Sequence, residues 1–155
     1  MRLCYRIALS CHANLKGVGG LYADGRWHSQ GRSIVYAAET RSLAALDVLV
    51  NLDLPPELTP ENYVIMEIAV PKNVSLRRLR LTKKLVGWNK KHGEVICRQV
   101  GDAWLQKQDA AILEVPSVVV PEEKNLLINP AHPDAQCVKI MNISSFSFDA
   151  RLLKF

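Results

Sequence analysis

Cysteine is scarce in this chain and badly spaced for ligation. The four cysteines, Cys4, Cys11, Cys97 and Cys137, form no C-x-x-C pair, and the only neighbouring histidine is His12 beside Cys11. No zinc or other metal site is expected from that pattern. A disulfide framework is not expected either, because 155 residues bury enough apolar surface to do without one. No apolar run reaches the length of a membrane span, and MRLCYRIAL lacks the charged-then-apolar layout of a secretory leader. The expectation is a cytoplasmic protein with reduced thiols and no membrane partner. Two chemical signatures are missing as well. GVGGLYADG (17–25) lacks G-x-G-x-x-G and a strand-to-helix setting, and no G-x-S-x-G surrounds Ser117 in VPSVVVP. There is no internal repeat, low-complexity tract or linker, so residues 1–155 are read as one domain.

What is present is ordinary globular composition, 48% apolar and 23% charged, with a net charge of +5. That balance suits an anionic ligand without demanding one. LCYRIAL (3–9) reads as a strand. Residues 10–32 are glycine-rich and loop-like, and SIVYAA (33–38) is a second strand. Thr40 or Ser42 can cap a helix running to about Asn51. The prolines of DLPPELTPENY then stop it. VIMEIAV (64–70) is a strand ended by Pro71. Residues 93–108 read as a second helix, interrupted in propensity by Gly101. AILEVPSVVVP (111–121) reads as a strand broken at Pro116, which predicts an edge or a bulge. NLLINP (125–130) and VKIMNI (138–143) are further strands. Clustered strands with two main helices between them predict an α+β fold.

Within SLAALDVLVNL (42–52) one carboxylate, Asp47, interrupts an apolar helix. A buried carboxylate without a partner costs several kcal/mol or is forced neutral. Asp47 therefore faces the helix's wet side, pairs with a cation, or lines a cleft. Upstream, Gly25 and Gly31 bracket Arg26 and Trp27, a cation followed by a ring. Tyr36 ends a strand, where its hydroxyl can face a cleft. RRLRLTKKLVGWNKKH (77–92) holds seven Lys or Arg residues and Trp88. It reads either as a solvated loop or as a nucleic-acid footprint. Ser117 is expected to donate a hydrogen bond from a strand end, and His132 in NPAHP fits a surface turn.

GRWHSQGRSIVYAAET, SLAALDVLVNL, GDAWL, VPSVVVP and NLLINPAHPDA occur in an order and spacing that resembles the RES domain, over nearly the whole chain to FSFDARLL. The resemblance implies a compact, ADP-ribosyltransferase-like mixed sheet acting on NAD⁺ as substrate, with no bound cofactor. It also implies a bacterial toxin paired with an Xre-like helix-turn-helix antitoxin that blocks the cleft near Arg26 in a hetero-oligomer. Carried over by position, the family arginine falls on Arg26, the tyrosine on Tyr36, the acidic residue on Asp47 and the serine on Ser117. Asp47 stands where the motif usually has Glu, and Asn51 where it often has His. Arg6, Trp27, Glu39 and Asn129 are expected around the dinucleotide, with Glu39 as the second candidate for the carboxylate. A fixed carboxylate stabilises the oxocarbenium-like centre formed when the nicotinamide–ribose bond breaks. Arg26 would take the pyrophosphate, Tyr36 the nicotinamide–ribose end, and Ser117 would orient the ribose or the carboxylate. The implied activity is NAD⁺ glycohydrolysis or phosphorolysis. Protein ADP-ribosylation is the alternative, and a catalytically weak nucleic-acid- or partner-binding module is a third. No direct nucleic-acid contact is expected from the first reading.

Overall fold

The computed structural model describes residues 1–154. Its helices and strands are β1 (Arg2–Leu9), α1 (Gly19–Tyr22), β2 (Val35–Ala38), α2 (Arg41–Leu49), β3 (Tyr63–Val70), β4 (Leu76–Arg78), α3 (Glu94–Lys107), β5 (Ile112–Pro116), β6 (Lys124–Ile128) and β7 (Lys139–Ser145). The strands form one mixed sheet in the order β4-β5-β6-β2-β1-β3-β7, an α+β architecture. Only β4 and β5 run parallel. A parallel pair needs a long crossover, and α3 supplies it. No helix among the described residues is long and apolar enough to cross a membrane.

Period-two alternation sorts the side chains onto two faces. Cys4, Val35, Ala37, Ile68, Leu126 and Ile128 pack on one face. On the other, Trp104, Leu113 and Leu127 pack together at α3, and Ile7, Ala38, Leu43 and Ala44 pack together at α2. Thr40 is the N-cap of α2: its side chain accepts the Leu43 N–H at 3.1 Å, a contact worth about 1 kcal/mol. Gly101 answers a packing demand rather than a break in α3. A Cβ there would lie 1.6 Å from the Trp27 carbonyl oxygen.

The two halves of the sheet are unevenly joined. β1 and β3 pair over eight positions, whereas β1 and β2 share only Tyr5 opposite Ala38. Beyond that rung the strands part.

Three expectations are corrected. Pro116 is the last residue of β5, which lies inside the sheet between β4 and β6. It is neither an edge nor a bulge, because a strand's final residue can spare its N–H. The irregularity in pairing falls instead at Glu67/Ile68, between β3 and β7. The loop-like stretch 10–32 includes the one-turn helix α1. The basic segment 77–91 is no free loop: its first residues belong to β4 and it buries Leu85 and Trp88.

Candidate active site

A cleft of about 1020 Å³ opens where β1 and β2 separate, at the upper end of the range for small-molecule sites. Arg6, Arg26, Trp27, Tyr36 and Asp47 all line it. The sequence scattered these residues over 42 positions, and the unpaired seam of the sheet brings them together.

Asp47 is placed by helical spacing. It lies four residues after Leu43 and three after Ala44, the two buried residues of α2, so it shares their inward face. Asn125 stands opposite Ala38 in the ladder and therefore on the sheet face that α2 covers. Its Nδ2 donates to Asp47 Oδ2 at 2.8 Å and to the Ala37 carbonyl at 3.2 Å. Among the described residues no cation lies within ion-pairing distance of Asp47. Loss of water raises its carboxyl pKa to about 6, against the opposing pull of the Asn125 amide. Of the three readings of Asp47 offered by the sequence, the cleft-lining one holds. Asn51, one turn on, donates from Nδ2 to the Asp47 carbonyl at 2.8 Å and closes the helix.

Arg6 sits beside the seam. Its Nη1 donates to the Tyr36 carbonyl at 3.0 Å, where the β1–β2 ladder has stopped. Its buried Nε has no hydrogen-bond partner, and no carboxylate among the described residues pairs with it. Burial pushes its pKa below the ordinary arginine value. A buried donor left unmet costs about 1–3 kcal/mol.

Arg26 is carried by a loop tied to α3. Ser29 donates its N–H and its hydroxyl to the Asp102 carboxylate at 2.9 and 2.6 Å. Arg98 Nε donates to the Gly25 carbonyl at 2.9 Å. Arg26 itself reaches the Trp88 carbonyl at 3.3 Å and stands 3.7 Å from the Glu94 carboxylate. Arg26 thus has a carboxylate beside it, unlike Arg6.

The Tyr36 hydroxyl is not free. It accepts the Trp27 N–H at 3.1 Å and lies 2.7 Å from His28 Nδ1. Burial, the largest influence, raises its pKa. His28 is 3% exposed, and burial is the main influence lowering its pKa. What Tyr36 has left to offer the cleft is its ring.

Four other expectations are revised by geometry. Ser117 is fully buried; its Oγ accepts the N–H groups of Val119 and Val120 at 3.0 and 3.1 Å. It shapes the loop whose Val118 and Val119 line the cleft but does not line the cleft itself. Glu39 takes the opposite sheet face from Tyr36, as three steps along extended chain require. There it accepts the Lys124 N–H at 2.8 Å and stands 3.7 Å from Arg2, outside the cleft. Asn129 is buried in the turn after β6, where its Oδ1 accepts the Ala131 N–H at 3.0 Å, also away from the cleft. Trp27 touches the cleft, but its indole is 3% exposed and packs on Trp88 with ring centroids 6.2 Å apart. It is a core residue rather than a stacking platform. Burial removes Trp88 in the same way from any nucleic-acid role. Two residues went unassigned in the sequence, Asn125 and His28. Asn125 carried no local signal; His28 stood in plain view within GRWH, but nothing there announced a buried partner.

Among the described residues no three His, Cys, Asp or Glu side chains cluster closely enough to hold a metal ion. All four cysteines are free. Burial raises the Cys4 thiol to about 12, so it is chemically inert.

Comparison with known proteins agrees with the motif reading. Residues 3–149 match the family model described as the RES domain. A protein of Sphingobium sp. described as Prs ADP-ribosylating toxin is 40% identical over 143 residues, covering 91% of this chain and 88% of the relative. Toxin Res of Pseudomonas putida is 39% identical over 144 residues, covering 93% of this chain and 96% of the relative. The fold is similar to a chain in the crystal structure of the M. tuberculosis MbcT-MbcA toxin-antitoxin complex, with a TM-score of 0.75 at 16% identity, over 98% of this chain and 86% of that one. The chain belongs to the RES domain family.

Proposed function

We propose that this RES-domain chain is a toxin enzyme that breaks the nicotinamide–ribose bond of NAD⁺. The observation that carries the reading is Asp47, a desolvated carboxylate with no cation beside it, in the wall of a cleft that also holds Arg6 and Arg26. An unpaired carboxylate at a site that disfavours its charge is stabilised by an electron-poor partner, and a ribose oxocarbenium is one.

The steps follow from charge. The C1′–N bond breaks, and its electron pair leaves with nicotinamide. The pyridinium becomes neutral on leaving, so no general acid is required. Ionised Asp47 stabilises the positive ribose. Arg6, whose guanidinium lines the cleft with no acid to neutralise it, takes the pyrophosphate, and Arg26 supports it from the loop side. The Tyr36 ring lies against the nicotinamide end. Water attacking C1′ yields ADP-ribose and releases one proton. Phosphate as acceptor yields a phosphorylated ADP-ribose.

The test is nicotinamide release by the purified chain, with and without phosphate, beside Asp47→Asn. The wild type is expected to turn over, and the variant to lose about 10²-fold or more. An Asp47→Asn chain as active as wild type would remove the assignment. The description of the Sphingobium relative favours a second reading, in which a protein side chain is the acceptor. Labelled NAD⁺ with lysate separates the two: a labelled protein band marks transfer, and free ADP-ribose marks hydrolysis.

A chain that consumes NAD⁺ must be silenced in its own cell. The structural neighbour comes from a toxin-antitoxin complex, which supports an antitoxin partner here. We assign that role to an Xre-like helix-turn-helix protein that covers the cleft and forms a hetero-oligomer with this chain. Intracellular NAD⁺ is expected to fall on induction of this chain alone and to hold when the antitoxin is co-expressed.

A further inference from the structure

We infer that His28 is a positioning residue that holds the Tyr36 ring against the cleft by taking up the only proton on its hydroxyl. The inference rests on the proposed function, since it gives Tyr36 a task at the same site.

The hydrogen-bond chemistry leaves one arrangement. His28 Nε2 lies 2.9 Å from the Ala23 carbonyl, which can only accept, so Nε2 carries the hydrogen. In a neutral imidazole Nδ1 is then an acceptor. Nδ1 lies 2.7 Å from the Tyr36 hydroxyl, so Tyr36 donates to it. The Trp27 N–H donates to the same hydroxyl oxygen at 3.1 Å. Tyr36 therefore spends its proton on His28 and one lone pair on Trp27. The chain runs from the Ala23 carbonyl through His28 to Tyr36.

The surroundings are built to this pair. A Cβ on Gly25 would stand 2.5 Å from the Tyr36 hydroxyl and 2.6 Å from His28 Nδ1. Only glycine leaves room for the two rings to meet there. The loop bearing Gly25 is the one that presents Arg26, so one small residue serves both the arginine and the tyrosine. The burial of His28 keeps the imidazole neutral, which preserves Nδ1 as an acceptor. Two consequences follow. The Tyr36 hydroxyl has no proton to give a leaving group, in keeping with a nicotinamide that needs none. The orientation of the Tyr36 ring is set by His28 as well as by strand β2.

Two substitutions divide the contacts of His28. His28→Asn places an amide oxygen near Nδ1 and keeps an acceptor for Tyr36. His28→Gln places an amide nitrogen near Nε2 and keeps the donor to Ala23. The expected result is kcat within about threefold of wild type for His28→Asn. For His28→Gln a fall of roughly tenfold is expected with KM little changed, short of the ~10²-fold that a 1 Å misplacement causes. Tyr36→Phe should match His28→Gln, and the double variant should fall no further. A merely structural histidine would make Asn and Gln equally harmful, or make the losses add; either result overturns the inference. Imidazole ¹⁵N spectra of the wild-type chain supply a readout independent of turnover. A neutral Nε2–H tautomer at pH 7 is expected, and an Nδ1–H tautomer would overturn the arrangement. A wild-type chain that leaves NAD⁺ intact would sink the proposed function, while the spectrum still judges the His28–Tyr36 pair on its own.

Discussion

The two faces of the sheet treat their carboxylates in opposite ways. On the face away from α2 and α3, Glu114 is buried and held by Arg2 and by Arg78, the latter at 3.3 Å. Glu39 beside it has Arg2 at 3.7 Å and a backbone N–H at 2.8 Å. On the other face Asp47 has one neutral amide; Arg6, which strand alternation places with Cys4 and Met66 on the first face, has no acid beside it at the seam. Paired charges hold a structure together. Charges left apart in one cleft are held at some expense of stability, and such separation marks sites that await a ligand. The family motif pointed to Asp47, and Arg6 was expected beside the dinucleotide; geometry adds that neither has a charged partner.

Four experiments sharpen or break that contrast. The largest effect belongs to Asp47→Asn, whose nicotinamide release should fall about 10²–10³-fold while the variant folds at least as well as wild type at pH 7. A variant that both works and folds like wild type would erase the distinction between the faces. Glu114→Gln should do the reverse. Urea unfolding should show a loss of about 1–3 kcal/mol, because two guanidinium groups lose the negative charge they share and one of its two acceptor oxygens. Its rate per folded molecule should stay put, and a selective fall in kcat would show that the paired face reaches the chemistry. Arg6→Lys keeps the charge but loses the fork. KM for NAD⁺ should rise roughly tenfold, about 1.4 kcal/mol, with kcat little altered; an unchanged KM would remove Arg6 from the anion site.

The smallest effect is a pH dependence. The Asp47 carboxyl rises from 3.8 to about 6 on folding, so between those values the folded chain binds the proton more tightly than the unfolded one. Its contribution to stability is therefore full below about pH 4 and is lost as the pH climbs through 6. The difference between wild type and Asp47→Asn in thermal melts should trace that window. Over the same range kcat/KM should rise with pH as the carboxylate ionises. A flat difference curve would mean that the carboxyl is better solvated than its place in the wall implies.

Much of this was legible in the order of the residues. Thr40 before SLAALDVLV marks a helix start, and the capping bond is there. Helical spacing ties Asp47 to the side of Leu43 and Ala44, but that this side turns inward was decided by packing. Alternation from Tyr36 sends Glu39 to the opposite face, so its exclusion from the cleft was readable as well. Other features had no local trace. The strand β4 is three residues long and largely basic, too short to show a period. The burial of Trp88 depends on Trp27, far away in sequence. Asn125 gains its meaning from a ladder partner, Ala38, and from the helix above it. Ser117 and Asn129 were named by motif position, yet their side chains are spent on the turns that they stabilise. Motif position locates a loop or turn; only packing decides which atoms face the ligand.

The single rung between β1 and β2 has a mechanical consequence. Elsewhere the strands are laced along most of their length, but here the backbone is joined by Tyr5 opposite Ala38 and by the Arg6 side chain stitched to the Tyr36 carbonyl. The weakest line of main-chain bonding in the sheet thus runs straight through the hollow where the unpaired charges gather. A molecule lying across it would act as a rivet between the two plates, stiffening from within a fold that has left its own middle open.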